Sequence, residues 1–147
     1  MRPPIILCYD GSPAAARAVK AAGTLFPGQP TIVLYAYPGV HSERIHTTPV
    51  EVERREPIEE VHVAAKRDAA AIAEQGTNIA LSDGLAAKPL TIQAADGAAG
   101  AILRVATQQS AAAVVIARGN RTRLGLRQFG TVSRKIVNHC PVRVLLV

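Results

Sequence analysis

The sequence predicts a doubly wound α/β fold, a five-stranded parallel sheet with helices on both faces. Two observations carry this prediction. Short apolar segments of strand character alternate along the chain with longer segments in which small apolar residues recur at helical spacing. The run 111–116 is apolar almost throughout, as expected of a strand buried on both faces. Sheets of this kind bind ligands at the carboxyl ends of their strands.

The first half of the chain predicts two strands and two helices. An apolar strand over 5–9 leads into Ser12, which can cap a helix over 13–26. A β-branched and aromatic strand follows at 31–37.

In residues 38–57 the apolar residues follow neither a helical nor a strand period, which predicts a long loop. A single apolar stripe then predicts a helix from about 58 to Ser82. This helix includes Gly76, which permits close packing, and Gly84 is a stop signal.

The second half predicts three further strands. Strand three is expected over 89–94, and Asp96-Gly97 marks the turn into helix three. Strand four covers 111–116. A short fourth helix begins near Gly130, and strand five covers 142–147.

Length and composition exclude several classes of protein. The 147 residues suit one domain, placed at 1–147, and 48% hydrophobic with 19% charged residues excludes a disordered or collagen-like chain. We expect no transmembrane helix and no secretory signal. Cys8 and Cys140 lack metal-ligand spacing, which favours free thiols in a reducing, cytoplasmic setting.

The net charge of +6 is unevenly distributed. All 11 acidic residues lie in 1–96, whereas 97–147 contains basic residues and no acidic one. Four arginines fall within 118–127, beside several glycines, which favours a compact phosphate site. Aromatic residues make up only 3%, too few for base-stacking platforms, so a nucleic-acid partner is not expected.

Three segments should converge at the carboxyl ends of the strands: 10–12, 36–37 and 118–133. The last ends in a helix N-terminus at 130–133, which favours an anion such as phosphate. Asp10 could accept a hydrogen bond from a ribose hydroxyl or an adenine amine. Alternatively, Asp10 and Ser12 only cap helix one and Thr131 caps helix four, and spacing alone does not decide. The candidate binding residues are Asp10, Gly11, Ser12, Ala36, Arg118, Gly119, Asn120, Gly130, Thr131, Val132 and Ser133.

Signals for metal binding and catalysis are weaker. The histidines at 41, 46 and 62 lack the tight spacing of a structural metal site and read as surface residues. No Walker lysine or nucleophile elbow is present, and His139 beside Cys140 does not form a nucleophile pair on a helix end. We therefore expect neither a metal nor an enzyme.

At both ends the sequence resembles the universal stress protein family. Asp10-Gly11-Ser12-Pro13 before an Ala-rich helix is similar to the family's opening, and Gly130-Thr131-Val132-Ser133 with Cys140-Pro141 and a final strand is similar to its closing segment. The resemblance implies strand order 3-2-1-4-5, the adenine nucleotide alpha hydrolase-like architecture, and dimers paired through strand five. It also implies two branches, one that binds ATP and one that does not.

The glycine motif of the ATP-binding branch is incomplete in this chain. That branch has two glycines three residues apart after strand four, then nine residues, then glycine followed by serine or threonine. Counting back from Gly130 places Asn120 and Ala117 at the two glycines, whereas matching Gly119 requires an insertion and places Ile116 at the first. A Cβ at either place costs affinity, which four nearby arginines could offset.

The leading interpretation is a homodimeric, cytoplasmic stress-response binding protein that takes ATP or a related adenine nucleotide. Ligand binding would act by ordering residues 118–130. There is also a physical reason to expect a dimer, because strand five is apolar and would otherwise leave an unpaired edge of the sheet. The alternatives are an interaction module of the same fold with an empty crevice and, less favoured, a weak nucleotide hydrolase.

Overall fold

The computed structural model describes residues 2–39, 58–119 and 130–147. The strands are β1 Ile5–Cys8, β2 Pro30–Pro38, β3 Ala86–Ala94, β4 Ala113–Ile116 and β5 Arg143–Leu146. The helices are α1 Pro13–Leu25, α2 Ile58–Ser82, α3 Ala98–Gln108 and α4 Thr131–His139. Every pairing between strands is parallel, and the order is β3-β2-β1-β4-β5, which confirms the expected fold class.

The switch point of the sheet lies at β1. Leu7 is in register with Val33 of β2 on one side and with Val115 of β4 on the other. The chain therefore leaves β1 and β4 toward opposite halves of the sheet, and a crevice opens between their carboxyl ends.

The core consists of two apolar layers, one on each face of the sheet. Ile6 and Cys8 of β1 pack in the layer that contains Ile102 of α3 and Ile136 of α4. The alternate residues of β1, with Val19 of α1 and Ala80 of α2, form the other layer. Because both faces are covered, β1 and β4 are apolar at every position, as the sequence analysis expected.

Strand β3 begins three residues earlier than predicted, at Ala86 instead of Pro89. Proline lacks an N–H group and cannot donate a hydrogen bond to a neighbouring strand, which favoured a strand that starts at Pro89. The register nevertheless continues through the proline, with Val33 opposite Pro89. A proline is tolerated because β3 is an edge strand, where a residue can turn its nitrogen away from its only neighbour.

The predicted loop over 38–57 lies largely outside the described residues. No helix within 2–39, 58–119 and 130–147 is both long enough and apolar enough to cross a membrane.

Gly76 is the contact point between α2 and the end of β1. A Cβ added to Gly76 would lie 2.6 Å from Cδ1 of Tyr9 and 2.7 Å from its Cγ. The Tyr9 side chain is buried, so its ring has little room to move. The glycine therefore lets a 25-residue helix lie directly on this ring, as the sequence analysis expected.

We predict that Gly76→Ala destabilises the protein by up to about 2 kcal/mol, because an overpacking cost of about 1–3 kcal/mol exceeds the ~1 kcal/mol gained in helix propensity. Gly100→Ala in α3 is the matched control, since its Cβ would meet nothing closer than 3.6 Å. The control should raise stability. Urea unfolding of both variants measures this, and equal stabilisation by both would contradict the packing argument.

Candidate functional site

A cavity of about 430 Å³ opens at the carboxyl ends of β1, β2 and β4. Six of the predicted binding residues line it: Asp10, Ser12, Ala36, Gly119, Val132 and Ser133. Four others lie beside it without lining it: Gly11, Arg118, Gly130 and Thr131. The remaining one, Asn120, is outside the described residues. The three segments expected to converge therefore do meet at one crevice.

The floor of the cavity is apolar and was not predicted as part of the site. It is formed by Cys8, Leu34 and Ile116 from three neighbouring strands, with Ile102 of α3. All four are buried or nearly so and belong to the core layer on the α3 face. Part of the signal was present in the sequence, because Cys8 and Ile116 are the last residues of β1 and β4, whereas Leu34 lies four residues before the end of β2.

Asp10 and Ser12 form a local capping arrangement at the start of α1. The backbone N–H of Ser12 donates to Oδ1 of Asp10 at 2.9 Å, and the backbone N–H of Ala15 donates to Oγ of Ser12 at 3.1 Å. Capping, the alternative reading of these residues, is therefore present. Asp10 is nevertheless exposed at the cavity, and within the described residues its Oδ2 atom is not engaged.

Thr131 does not cap α4, so that part of the capping alternative is wrong. The N-cap is Gly130, which has no side chain to accept a hydrogen bond. The first bond within the helix is from the N–H of Arg134 to the Gly130 carbonyl oxygen, at 3.0 Å. The N–H groups of residues 131–133 therefore have no partner inside the helix.

The N-termini of three helices meet at this cavity. Ala14 and Ala15 of α1, Ala98 of α3, and Val132 and Ser133 of α4 all line it. The N-cap of α3 is a glycine too, also without a side-chain cap. None of these helices has an acidic residue in its first turn, whereas α2, which does not line the cavity, has two. The positive ends of three helix dipoles therefore point at one cavity. None of these helices has a carboxylate in its first turn that would offset the positive charge.

Ser133 has a structural contact in addition to its place at the cavity. Its side chain is buried, and Oγ donates to the carbonyl oxygen of Ala117 at 3.3 Å. This bond ties the first turn of α4 to the segment that follows β4. The sequence analysis named Ser133 as a candidate binding residue and could not see this partner, which is 16 residues away.

The segment after β4 is held at its start by the last strand. The N–H of Arg118 donates to the carbonyl oxygen of Val147 at 2.8 Å, and the N–H of Val147 donates to the carbonyl oxygen of Ile116 at 3.1 Å. Gly119 then turns into the left-handed region with φ of 40°, a conformation that favours glycine. Its backbone reaches the cavity wall without a Cβ in the way.

Comparison with known proteins agrees with this geometry. The profile of the universal stress protein family matches residues 1–147. The chain belongs to the universal stress protein family. Among curated proteins no relative matches.

Solved universal stress proteins share the fold at low sequence identity. One from Archaeoglobus fulgidus is 20% identical, with 99% of this chain and 98% of that chain covered and a TM-score of 0.72. A second from A. fulgidus, solved in complex with dAMP, is 18% identical over 99% and 97% of the two chains, with a TM-score of 0.67. A third, in complex with cAMP, is 19% identical over 98% and 94%, with a TM-score of 0.61.

In this universal stress protein the ionisable groups at the cavity floor remain neutral at physiological pH. Burial raises the pKa of the Cys8 thiol from 9.0 to about 12, and Cys140 and Asp10 add to the shift. Burial, with Asp10 as the second cause, also raises the pKa of Tyr9. A thiol held protonated is a poor nucleophile and a poor metal ligand, so Cys8 acts as an apolar wall residue.

We predict that Cys8 makes the protein less stable as pH rises from about 9 toward 12. The folded state keeps the proton and the unfolded state releases it, so stability falls by up to about 1.4 kcal/mol per pH unit. Urea unfolding at pH 8 to 11 should show a shallower decline for Cys8→Ala than for the matched control Cys140→Ala. Identical slopes in the two variants would contradict this assignment.

Proposed function

We propose that this universal stress protein is a one-domain, nucleotide-responsive binding module, with the phosphate of an adenine nucleotide seated at the N-termini of α3 and α4. The observation that carries the proposal is the pair of glycine N-caps, whose helices begin at one cavity with main-chain N–H groups that have no partner inside their own helix. Such groups, at the positive end of a helix dipole, stabilise an anion without any charged side chain.

The rest of the cavity suits a nucleoside. Its apolar floor offers a surface for a base, and the exposed Asp10 carboxylate at the rim can accept from a hydroxyl or an exocyclic amine. Two solved relatives are complexes with cAMP and dAMP, both adenine nucleotides with a single phosphate. ATP remains within the proposal, since the four arginines of residues 118–127 could contact further phosphates.

We propose binding without turnover. The polar groups that the described residues bring to the cavity are main-chain donors, the Asp10 carboxylate and the side chains of Tyr9, Tyr35, Ser12 and Ser133. The two serine hydroxyls are already engaged in hydrogen bonds. Within the described residues there is no group of three side chains that could hold a metal ion. Release of phosphate from ATP above background would overturn this part and favour the hydrolase alternative.

The output of binding is then a changed surface. Residues 118–130 include Gly119 near their start and end at Gly130, the N-cap of α4, so a ligand held between these two glycines would fix both ends of that segment. We propose that a stress-response partner reads this surface in the cytoplasm. Both cysteines are free thiols, as a reducing compartment requires.

We also propose a homodimer paired through β5. The two edges of the sheet differ: β3 carries exposed Lys88 and Pro89, which discourage pairing, whereas β5 continues in half-buried apolar residues from Val144 to Val147. Pairing two copies would cover these residues and satisfy the edge.

One set of observations favours the second candidate, an interaction module that holds no nucleotide. Ser12 and Ser133 both use their hydroxyls internally, and the glycine motif has Ala117 or Ile116 where a family glycine is expected. The two candidates differ in one measurable respect, the affinity for adenine nucleotides.

We predict that calorimetric titration with ATP, ADP, AMP and cyclic AMP finds at least one ligand with Kd below about 1 mM, equivalent to roughly −4.1 kcal/mol. Val132→Asp should weaken that binding at least about tenfold, because it adds a carboxylate at the phosphate position. Val132→Asn is the matched control: asparagine has the size and shape of aspartate at the same position in the cavity but no charge.

Both variants should melt as cooperatively as the parent, which separates lost binding from lost folding. If no nucleotide binds below about 1 mM, the interaction-module candidate replaces the nucleotide proposal. If Val132→Asn weakens binding as much as Val132→Asp, the added charge is not the cause, and the phosphate does not sit where we place it.

A further inference from the structure

Three serine and threonine side chains are buried within the described residues: Thr31, Thr77 and Ser133. The two threonine hydroxyls donate to carbonyl oxygens two and four residues away in sequence, at 2.9 and 2.8 Å. The Ser133 hydroxyl alone among these three reaches a different segment, where it donates to the carbonyl oxygen of Ala117 at 3.3 Å. Its hydrogen bond therefore joins two parts of the structure, whereas the bonds of the threonines are local.

The bond from Ser133 completes the anchoring of one peptide unit beside the cavity. The carbonyl of Ala117 and the N–H of Arg118 belong to the same planar unit. Its N–H end donates to the carbonyl oxygen of Val147 at 2.8 Å, and its carbonyl end accepts from Ser133. Two separate segments thus hold this peptide unit, the residue after β5 and the first turn of α4. Without the serine hydroxyl, the bond to Val147 would hold only the N–H end.

The anchored peptide unit sets the course of the chain along the cavity wall. Ala117 and Gly119, on either side of Arg118, both line the cavity. Gly119 turns with φ of 40° directly after the anchored unit. The first turn of α4 supplies another part of the wall through Val132 and Ser133. Ser133 therefore fixes the segment after β4 relative to the main-chain N–H groups at the start of α4.

The Ser133 hydroxyl cannot donate to a phosphate while it holds Ala117. A serine side chain has one O–H donor, and a phosphate dianion accepts hydrogen bonds without donating any. That single donor is engaged by the carbonyl oxygen of Ala117. A phosphate at this helix N-terminus is then left with main-chain N–H groups, among them that of Ser133 itself.

We infer that Ser133 is a positioning residue for the phosphate of the bound nucleotide. Its hydroxyl holds the peptide unit of Ala117 and Arg118 against α4 and contacts no ligand atom. The inference rests on the proposed function, because it assigns a role to one side chain of that site. The proposed contacts of the base and the ribose, to the apolar floor and Asp10, are not held by this hydrogen bond. Loss of the hydroxyl should therefore affect the phosphate and spare the nucleoside.

Ser133→Ala and Thr77→Val form a matched pair of variants of the full chain. Each removes the hydroxyl of a residue that is 5% exposed, together with its hydrogen bond to a carbonyl oxygen. Thr77 lies in α2 and does not line the cavity. A third variant, Ser133→Thr, keeps a hydroxyl at the same position.

Calorimetric titration with AMP and with adenosine measures the effect on each part of the ligand. Ser133→Ala should weaken AMP binding about tenfold and adenosine binding by less than about twofold. Thr77→Val should change neither, and Ser133→Thr should restore AMP binding to within about threefold of the parent. A merely structural role for Ser133 would weaken both ligands alike.

Amide hydrogen exchange of the ligand-free protein tests the structural step separately. The N–H of Arg118 should exchange about tenfold faster in Ser133→Ala than in the parent, because its peptide unit has lost one of two anchors. Thr77→Val should leave that rate unchanged.

Four results would each overturn the inference: unchanged AMP affinity in Ser133→Ala, equal losses for AMP and adenosine, no rescue by Ser133→Thr, or an Arg118 exchange rate that does not rise. If the parent binds AMP and Ser133→Ala binds it equally well, the inference fails alone. If the parent binds no adenine nucleotide, the proposed function fails together with the inference, so the two failures are distinguishable.

Discussion

The parallel pairing of β1 with both β2 and β4 is the constraint on which the rest of the structure depends. Because Leu7 is in register with Val33 and Val115, three strands end at one edge of the sheet. A parallel connection must return the chain across a face, so α1, α3 and α4 all begin at that edge. Their N-termini meet at the cavity as a consequence of topology, before any particular side chain is considered.

A site built from main-chain groups has a particular chemical character. The glycine N-caps of α3 and α4 leave N–H donors directed outward, and the buried floor around Cys8 lowers the local dielectric. Such a site can hold an anion and a flat apolar group, and the Cys8 thiol at its floor stays protonated. The same topology leaves β5 at the edge of the sheet, where the bond from the N–H of Arg118 to the carbonyl oxygen of Val147 ties the segment after β4 to the end of the chain.

Most of the fold could be predicted from the sequence because its strands are apolar on both faces and its helices have clear stop signals. Gly84, with φ of 85°, ends α2 as expected. The start of β3 was missed because Pro89 counts against a strand unless the strand is known to lie at an edge, a property of the whole sheet. The site was only half predictable: polar residues after strands are visible in the sequence, whereas the apolar floor and the bond from Ser133 to Ala117 depend on which strands are neighbours.

The most direct test of the central claim, that main-chain N–H groups at the starts of α3 and α4 hold a nucleotide phosphate, is an amide nitrogen–proton NMR titration with AMP. The account predicts saturable shifts in the amide signals of Ala98, Val132 and Ser133, with those of Glu59 and Glu60 at the start of α2 unchanged. Titration with adenosine should leave the three amides largely unaffected, since it lacks the phosphate. Saturating AMP that shifts none of these three amides, or shifts them no more than adenosine does, would contradict the account.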